Sequence, residues 1–197
     1  MSLITISVSN EKDKKAVIWV STVIYTLIGL SVIALMLAVV KPKLEEMKDS
    51  FVISQTISAL NELDSIIVEI RQAVGSTRGY DLYLSRGELK IHCVEGTLTQ
   101  YIEWYLPDSN YMFSEATEEG EEPIVVPAAG NIKGFTIVGN GNRFSVTLRL
   151  YYNELDLTFN GKDEDKILQP AKTHYSLWFE NRGVGPKGKQ QIDISLL

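Results

Sequence analysis

One uncharged stretch near the start of the sequence limits the possible folds more than any other feature. Residues 17–40 are 24 consecutive residues without a charge, VIWVSTVIYTLIGLSVIALMLAVV. As a helix they extend roughly 36 Å, which exceeds a bilayer core of about 30 Å. A buried core helix rarely runs so far without a polar face. The sequence therefore predicts a transmembrane helix, whose hydroxyl groups can bond back to the helix backbone at Ser21, Thr22, Thr26 and Ser31.

The flanks of this run bear on its orientation and processing. The run is longer than the apolar part of a secretory signal peptide, about 7–15 residues, and it ends at Lys41-Pro42-Lys43 rather than at a small-residue cleavage site. Trp19 near one end suits a membrane interface. Lysines flank both ends, and the positive-inside rule favours a cytoplasmic N-terminus by a small margin. We then expect a single-pass protein of the cell membrane whose C-terminal part lies outside the cytoplasm.

A second helical pattern follows over residues 41–74. Apolar side chains recur there at spacings of three and four, which indicates one buried helix face: Ile53, Ile57, Leu60, Leu63, Ile67, Ile70 and Val74. Gly75 is a natural C-terminal stop. Only Lys41-Pro42 separates this stretch from the apolar run, and proline usually kinks a helix. We expect one long helix, bent near Pro42, with an amphipathic stalk as its second half.

Short alternating runs and turn residues replace the helical pattern over residues 75–197. About eight strands with no intervening helix predict an antiparallel sheet or sandwich. Arg86-Gly87 lies between two of these runs and has the character of a hairpin turn. The predicted fold class is therefore α+β, in which a long N-terminal helix carries a C-terminal antiparallel β head.

An acidic stretch interrupts the strand signals at residues 107–130. It carries six carboxylates and neither lysine nor arginine, and its side chains are Asp108, Glu115, Glu118, Glu119, Glu121 and Glu122. We interpret it as a solvated loop. A calcium site would use such oxygen ligands, but the spacing does not match an EF-hand loop.

Charge and cysteine content exclude several classes of protein. The formal net charge is −6, from 19 Lys+Arg against 25 Asp+Glu, and this balance argues against nucleic acid as a partner. The single cysteine, Cys93, excludes an intrachain disulfide and a cysteine-based zinc cluster.

One motif resembles a nucleotide-binding loop. Residues 183–189, GVGPKGK, match the first seven places of the GxxxxGK pattern. The next residue is Gln190, where a magnesium-binding Ser or Thr is required, and a strand pattern follows where a helix is required. We therefore assign these residues to a glycine-rich hairpin.

The remaining candidates for chemistry are also weak. Adjacent residues on a strand point to opposite faces, so His92 and Cys93 are not expected to act as a catalytic pair. Cys93 falls on the apolar face, and His174 stands alone at a strand entrance. The sequence thus predicts no enzyme, with no catalytic residue, no metal site and no cofactor.

The start of the apolar run resembles the class III signal of archaeal type IV pilin-like proteins. A short charged leader, residues 1–16, ends in Lys14-Lys15-Ala16, and the apolar helix begins at once with Val17. In that family a prepilin peptidase cuts after such a junction and leaves the apolar helix on the mature protein. Bacterial pilins carry a glutamate at the fifth mature position, where this chain would have Ser21, whereas archaeal relatives often lack it.

The resemblance implies a structural subunit of a surface filament. Lys14, Lys15, Ala16 and Val17 would form the processing site. The partners would be the lipid bilayer, the prepilin peptidase, the pilus assembly machinery and further copies of the chain, which self-associate through the apolar helix. The alternative from a different class is an uncleaved single-pass surface protein whose extracytoplasmic β head binds a ligand or partner.

Overall fold

The computed structural model describes residues 7–94, 100–141 and 143–197, with side chains from residue 18 onward. The chain divides into two compact units, residues 1–45 and 46–197. Helix α1 (Ser7–Ile70) begins in the first unit and ends in the second, and its helical assignment continues through Pro42. The predicted single long helix is thus confirmed, whereas its bend near Pro42 stays a prediction.

Eleven strands follow helix α1 in the described part of the chain. They are β1 (Thr77–Leu82), β2 (Glu88–His92), β3 (Tyr101–Ser109), β4 (Ala116–Thr117), β5 (Val126–Ala129), β6 (Ile132–Val138), β7 (Phe144–Tyr151), β8 (Leu155–Phe159), β9 (Lys166–Leu168), β10 (Tyr175–Val184) and β11 (Gln190–Leu196). The α+β class is confirmed. The stretch predicted as a plain acidic loop, 107–130, contains the end of β3 and all of β4 and β5, so that interpretation is corrected.

The strands form two sheets. The order is β1-β10-β11-β8 in the four-stranded sheet and β4-β6-β7-β3-β2-β9 in the seven-stranded sheet, in which β5 also pairs with β6. Most pairings are antiparallel, as predicted, but β11 pairs with β8 and β4 with β6 in parallel. Strand spacing along the sequence does not reveal these pairings, because neither parallel pair is joined by a short turn.

Arg86-Gly87 does not form the predicted hairpin, because β1 and β2 belong to different sheets. Gly87 instead lies where the chain passes between the sheets, with φ at +73°. A Cβ atom there would lie 2.6 Å from Nε1 of Trp104. The same indole nitrogen donates a hydrogen bond to the Arg86 carbonyl at 3.0 Å. Glycine is needed here for its backbone conformation and for the space it leaves to the indole.

One hydrophobic core joins the amphipathic part of helix α1 to both sheets. Its helical members are Ile53, Leu60, Leu63, Ile67 and Ile70, which confirms most of the predicted stripe. Val74 is the exception, since the helix ends at Ile70 and the valine side chain is exposed. Val74 keeps the spacing of the stripe in the sequence but lies in the turn that follows the helix.

Asn181 explains why the helix ends where it does. Its Nδ2 donates to the carbonyls of Ile70 and Ala73 at 2.8 and 3.0 Å, and its Oδ1 accepts from the Gly183 amide at 2.9 Å. These bonds satisfy carbonyl groups that a helix end leaves without partners. A buried residue of β10 therefore caps the helix, whose last residue is five positions before Gly75.

Candidate assembly surface

The first unit presents an apolar helix surface to its surroundings. From residue 18 to residue 40 the side chains are exposed, apart from a half-buried Ser21. The hydroxyls of Thr22, Thr26 and Ser31 donate to the carbonyls of Ile18, Val23 and Leu27 at 2.8–2.9 Å. These polar groups are thus satisfied within the helix, as predicted. Among the described residues, this is the one helix long and apolar enough to cross a bilayer.

The processing site predicted at Lys14, Lys15, Ala16 and Val17 falls within the backbone range of helix α1. The side chains of these residues lie outside the described part of the structure, as do residues 1–6 of the leader. Cleavage after Ala16 remains a prediction.

Two large apolar side chains of helix α1 are more than half exposed in the second unit. Met47 and Phe51 are 62% and 69% exposed. They are four residues apart, so they form a ridge along one helix face. A groove lies on each side of this ridge, one bounded by Ser85 and the other by Tyr111. We call Met47 and Phe51 the apolar ridge.

Asp49 fixes the opposite side of the same helical turns to the β structure. Its carboxylate is 1% exposed; it forms an ion pair with Arg86 and accepts hydrogen bonds from the backbone and side-chain nitrogens of Asn110 at 2.7 and 2.9 Å. Burial on its own would raise the pKa of Asp49, but the bonds from Asn110 and Arg86 outweigh it and lower that pKa. The charged form is therefore the one that the fold stabilises.

The contacts of Asp49 and the apolar ridge were not predicted from the sequence. Phe51 carried a usable signal, because it is a large apolar residue that lies off the stripe of buried positions. Asp49 carried none, since its partners are 37 and 61 residues away.

The three residues considered above as candidates for chemistry, His92, Cys93 and His174, each have neighbours within the fold. His92 contacts Asp165 through Nδ1 at 2.8 Å and stacks on Tyr101. Cys93 is fully buried, as predicted. Burial and nearby carboxylates, first among them Asp165, raise the pKa of the Cys93 thiol to about 12, which opposes formation of a thiolate. His174 lies 5.3 Å from the ring of Tyr83.

The glycine-rich segment forms the predicted hairpin between β10 and β11. The Gly185 amide donates to the Lys189 carbonyl at 2.9 Å, which closes the turn. Lys187, the first lysine of the motif, contacts Asp156 at 2.8 Å and Asp163 at 3.0 Å. Within the described ranges, no three His, Cys, Asp or Glu side chains form a group that could hold a metal ion.

Comparison of this chain with protein-family models, with curated proteins and with solved structures finds no match.

Proposed function

We propose that this protein is a structural subunit of a surface filament of the archaeal type IV pilus kind. The chain is first held in the membrane as a single-pass protein with its β head outside the cytoplasm. The observation that carries the proposal is the apolar helix of residues 18–40, whose side chains are exposed along its length. Such a helix is stable in lipid and equally stable in a bundle of identical helices, because both surroundings exclude water.

The continuity of helix α1 supports the same function. The helical assignment passes from the apolar segment into the stretch that contributes Ile53, Leu60 and Leu63 to the core. A filament subunit needs such a connection, because a helix in the filament core must be firmly attached to the head that it carries. A simple membrane anchor can function with a flexible linker instead.

The apolar ridge supports a second contact between subunits, made by the part of helix α1 that packs on the β head. Two large apolar side chains exposed on neighbouring helical turns favour a protein contact rather than water. In this proposal Met47 and Phe51 pack against a neighbouring subunit. Replacing both with serine should leave membrane insertion intact and reduce the yield of sheared filaments about tenfold or more. Val184→Ser, which removes a 77% exposed apolar side chain on the β10–β11 hairpin, is the matched control.

Processing of the leader provides the decisive experiment. Removal of residues 1–16 takes away Lys12, Lys14 and Lys15, whose charges would be costly to bury in an apolar bundle. Intact-mass analysis of the protein from its native cell should find a chain beginning at Val17. The double change Lys15→Glu and Ala16→Glu should trap the precursor in the membrane without filaments.

The control for that experiment is Lys41→Glu with Lys43→Glu, which changes two charges on the other flank and should leave cleavage after Ala16 intact. A native chain that begins at Met1 or Ser2 would contradict the pilin proposal. It would favour the alternative, an uncleaved surface protein anchored by the same helix.

A further inference from the structure

The solvent face of the β1–β10 strand pair carries aromatic side chains where a polar surface is expected. Trp178 and Tyr83 are 39% and 47% exposed. In β10 the neighbours Leu177 and Phe179 point into the core, so Trp178 points outward. Trp178 lies in register with Gly79, and Ser176 with Asp81. Tyr83 follows β1 directly and pairs with the ring of His174.

Gly79 determines how the indole of Trp178 lies. A Cβ atom at Gly79 would lie 3.1 Å from Cε3 and Cζ3 of the indole. The six-membered ring of Trp178 therefore covers the backbone of β1, in the space that a side chain would fill. The exposed 39% of Trp178 is therefore the part of the indole that a ligand can reach by stacking.

Polar groups separate the two aromatic positions. Ser176 donates a hydrogen bond to Oδ1 of Asp81 at 2.7 Å, which leaves the second carboxylate oxygen as an acceptor. Glu180 adds a carboxylate beyond Trp178, where it pairs with Arg182 at 3.3 Å. From Trp178 to the Tyr83–His174 pair the strand rises about 13 Å. The surface is thus an alternation of aromatic, acceptor and aromatic groups along one direction.

A depression lies at the Tyr83 end of this row. It has a volume of about 170 Å³, and its lining combines apolar side chains of the core with polar ones, among them Asp81, Tyr83, His174 and, from helix α1, Gln55 and Thr56. Because β1 is an edge strand of its sheet, the depression lies between that edge and the helix. Its amide, carboxylate and imidazole groups can bond to hydroxyl groups of a ligand.

We propose that this surface, formed by Trp178, Asp81, Tyr83 and His174, binds a neutral oligosaccharide that lies along the β1–β10 pair. The C–H face of a pyranose ring packs on the negative π face of an aromatic ring. Hydroxyl groups between two stacked sugars donate to Asp81, and a terminal sugar enters the depression. The carboxylate of Asp81 favours a hydroxyl-rich ligand without negative charge, because it repels acidic sugars.

This binding activity is independent of filament assembly through the apolar helix. It would give the head a ligand whether or not the leader is cleaved. The apolar ridge, Met47 and Phe51, takes no part in it.

Titration of the full-length protein with defined sugars tests the proposal. The protein is kept in a detergent without a sugar headgroup, such as lauryldimethylamine oxide, and binding is measured by calorimetry. Cellohexaose and maltohexaose are the neutral probes, and hexagalacturonate is the acidic probe of equal length. At least one neutral probe should bind, and the acidic probe should bind about tenfold more weakly or not at all.

Variants assign the binding to this surface. Trp178→Ala, Tyr83→Ala and Asp81→Ala should each weaken the neutral probe by about tenfold. Gly79→Val should also weaken it, because the new side chain displaces the indole. Tyr105→Ala removes a 38% exposed aromatic ring from the other sheet and should leave the affinity within about twofold. Tyr83 and Asp81 are solvent-exposed, so the test holds even where Trp178→Ala does not fold.

Three results would overturn the proposal. One is the absence of binding by both neutral probes up to about 10 mM. Another is an equal loss of affinity in Tyr105→Ala. The third is a loss of self-association in Trp178→Ala without any sugar binding, which would assign the surface to a second copy of the chain.

Discussion

The side-chain amide of Gln100 pairs with both backbone polar groups of Leu157. Its Oε1 accepts from the Leu157 amide at 2.6 Å, and its Nε2 donates to the Leu157 carbonyl at 3.2 Å. Leu157 is the middle residue of β8, an edge strand of the four-stranded sheet. One side chain thus takes the place of a neighbouring strand at that edge, and every residue of β8 is buried.

Replacing Gln100 should therefore destabilise the head. Gln100→Leu is nearly isosteric but leaves the amide and carbonyl of Leu157 buried without these bonds, along with the Cys93 carbonyl that Nε2 contacts at 2.5 Å. We expect a loss of about 3 kcal/mol in the free energy of unfolding, measured by denaturant titration. Gln72→Leu, at an exposed position, is the control and should change stability by less than about 0.5 kcal/mol. A loss below about 1 kcal/mol for Gln100→Leu would show that water replaces the amide.

Asp49 should hold the first turns of helix α1 in the second unit against the head. Asp49→Ala removes the acceptor for both nitrogens of Asn110 and the partner of Arg86. We expect a loss of about 2–3 kcal/mol in unfolding free energy and faster hydrogen exchange of the amides of residues 46–56. Glu118→Ala removes the same charge from an exposed position and serves as the control. Unchanged exchange in that segment would mean that the apolar stripe alone holds it.

Asp165 should make stability depend on pH in the acid range. Burial would raise the pKa of Asp165, but hydrogen bonds from His92 and Lys90 dominate and lower it to about 2. The pKa of Asp165 is thus lower in the folded state than in the unfolded state. The stabilisation that Asp165 provides is therefore complete above about pH 4, and it is lost as the pH falls from about 4 to 2. Asp165→Asn should cost about 1–2 kcal/mol at pH 7, since the side chain is partly exposed, and the difference should shrink towards pH 2.

Denaturant titrations at pH 7, 4 and 2 measure this effect. Glu118→Gln, in the acidic stretch, should show no comparable change over the same range. A constant difference between Asp165→Asn and the wild type at all three values would contradict the role of the ionised carboxylate.

The apolar segment should account for membrane retention. A chain beginning at Lys43 lacks residues 17–40 and keeps the whole second unit, residues 46–197. We expect it in the soluble fraction of cells, because what remains is charged and its helix stripe is buried in the head. Cell fractionation followed by a high-salt wash measures this. Retention of most of the shortened chain on membranes after that wash would locate the membrane contact elsewhere.

Local patterns of the sequence determined the helix and its two faces. An uncharged run longer than a bilayer is thick has few structural solutions, and the spacing of Ile53, Leu60, Leu63 and Ile67 requires a buried helix face. Both depend only on residues that are near each other in sequence. The same holds for the β10–β11 hairpin, whose glycine-rich turn and flanking alternation were sufficient for its prediction.

The composition of the solvent face of the four-stranded sheet could be predicted in part from the sequence. Trp178 stands at an outward position of an alternating strand, and this position alone marks an unusual exposed aromatic residue. Its proximity to Gly79 and Asp81 could not be predicted from the sequence, because it depends on pairing between strands about 100 residues apart. Sequence alternation specifies the face of a residue but not its cross-strand neighbour.

Only the tertiary structure decided which groups satisfy one another across the head. The sequence by itself determined a long helix, apolar first and amphipathic afterwards, followed by a β head. It could not place β1 and β2 in different sheets, end the helix at Ile70 through Asn181, or close β8 with Gln100. The physical reason is that burial of apolar side chains follows a local period, whereas a buried hydrogen bond requires two particular groups that the fold brings together.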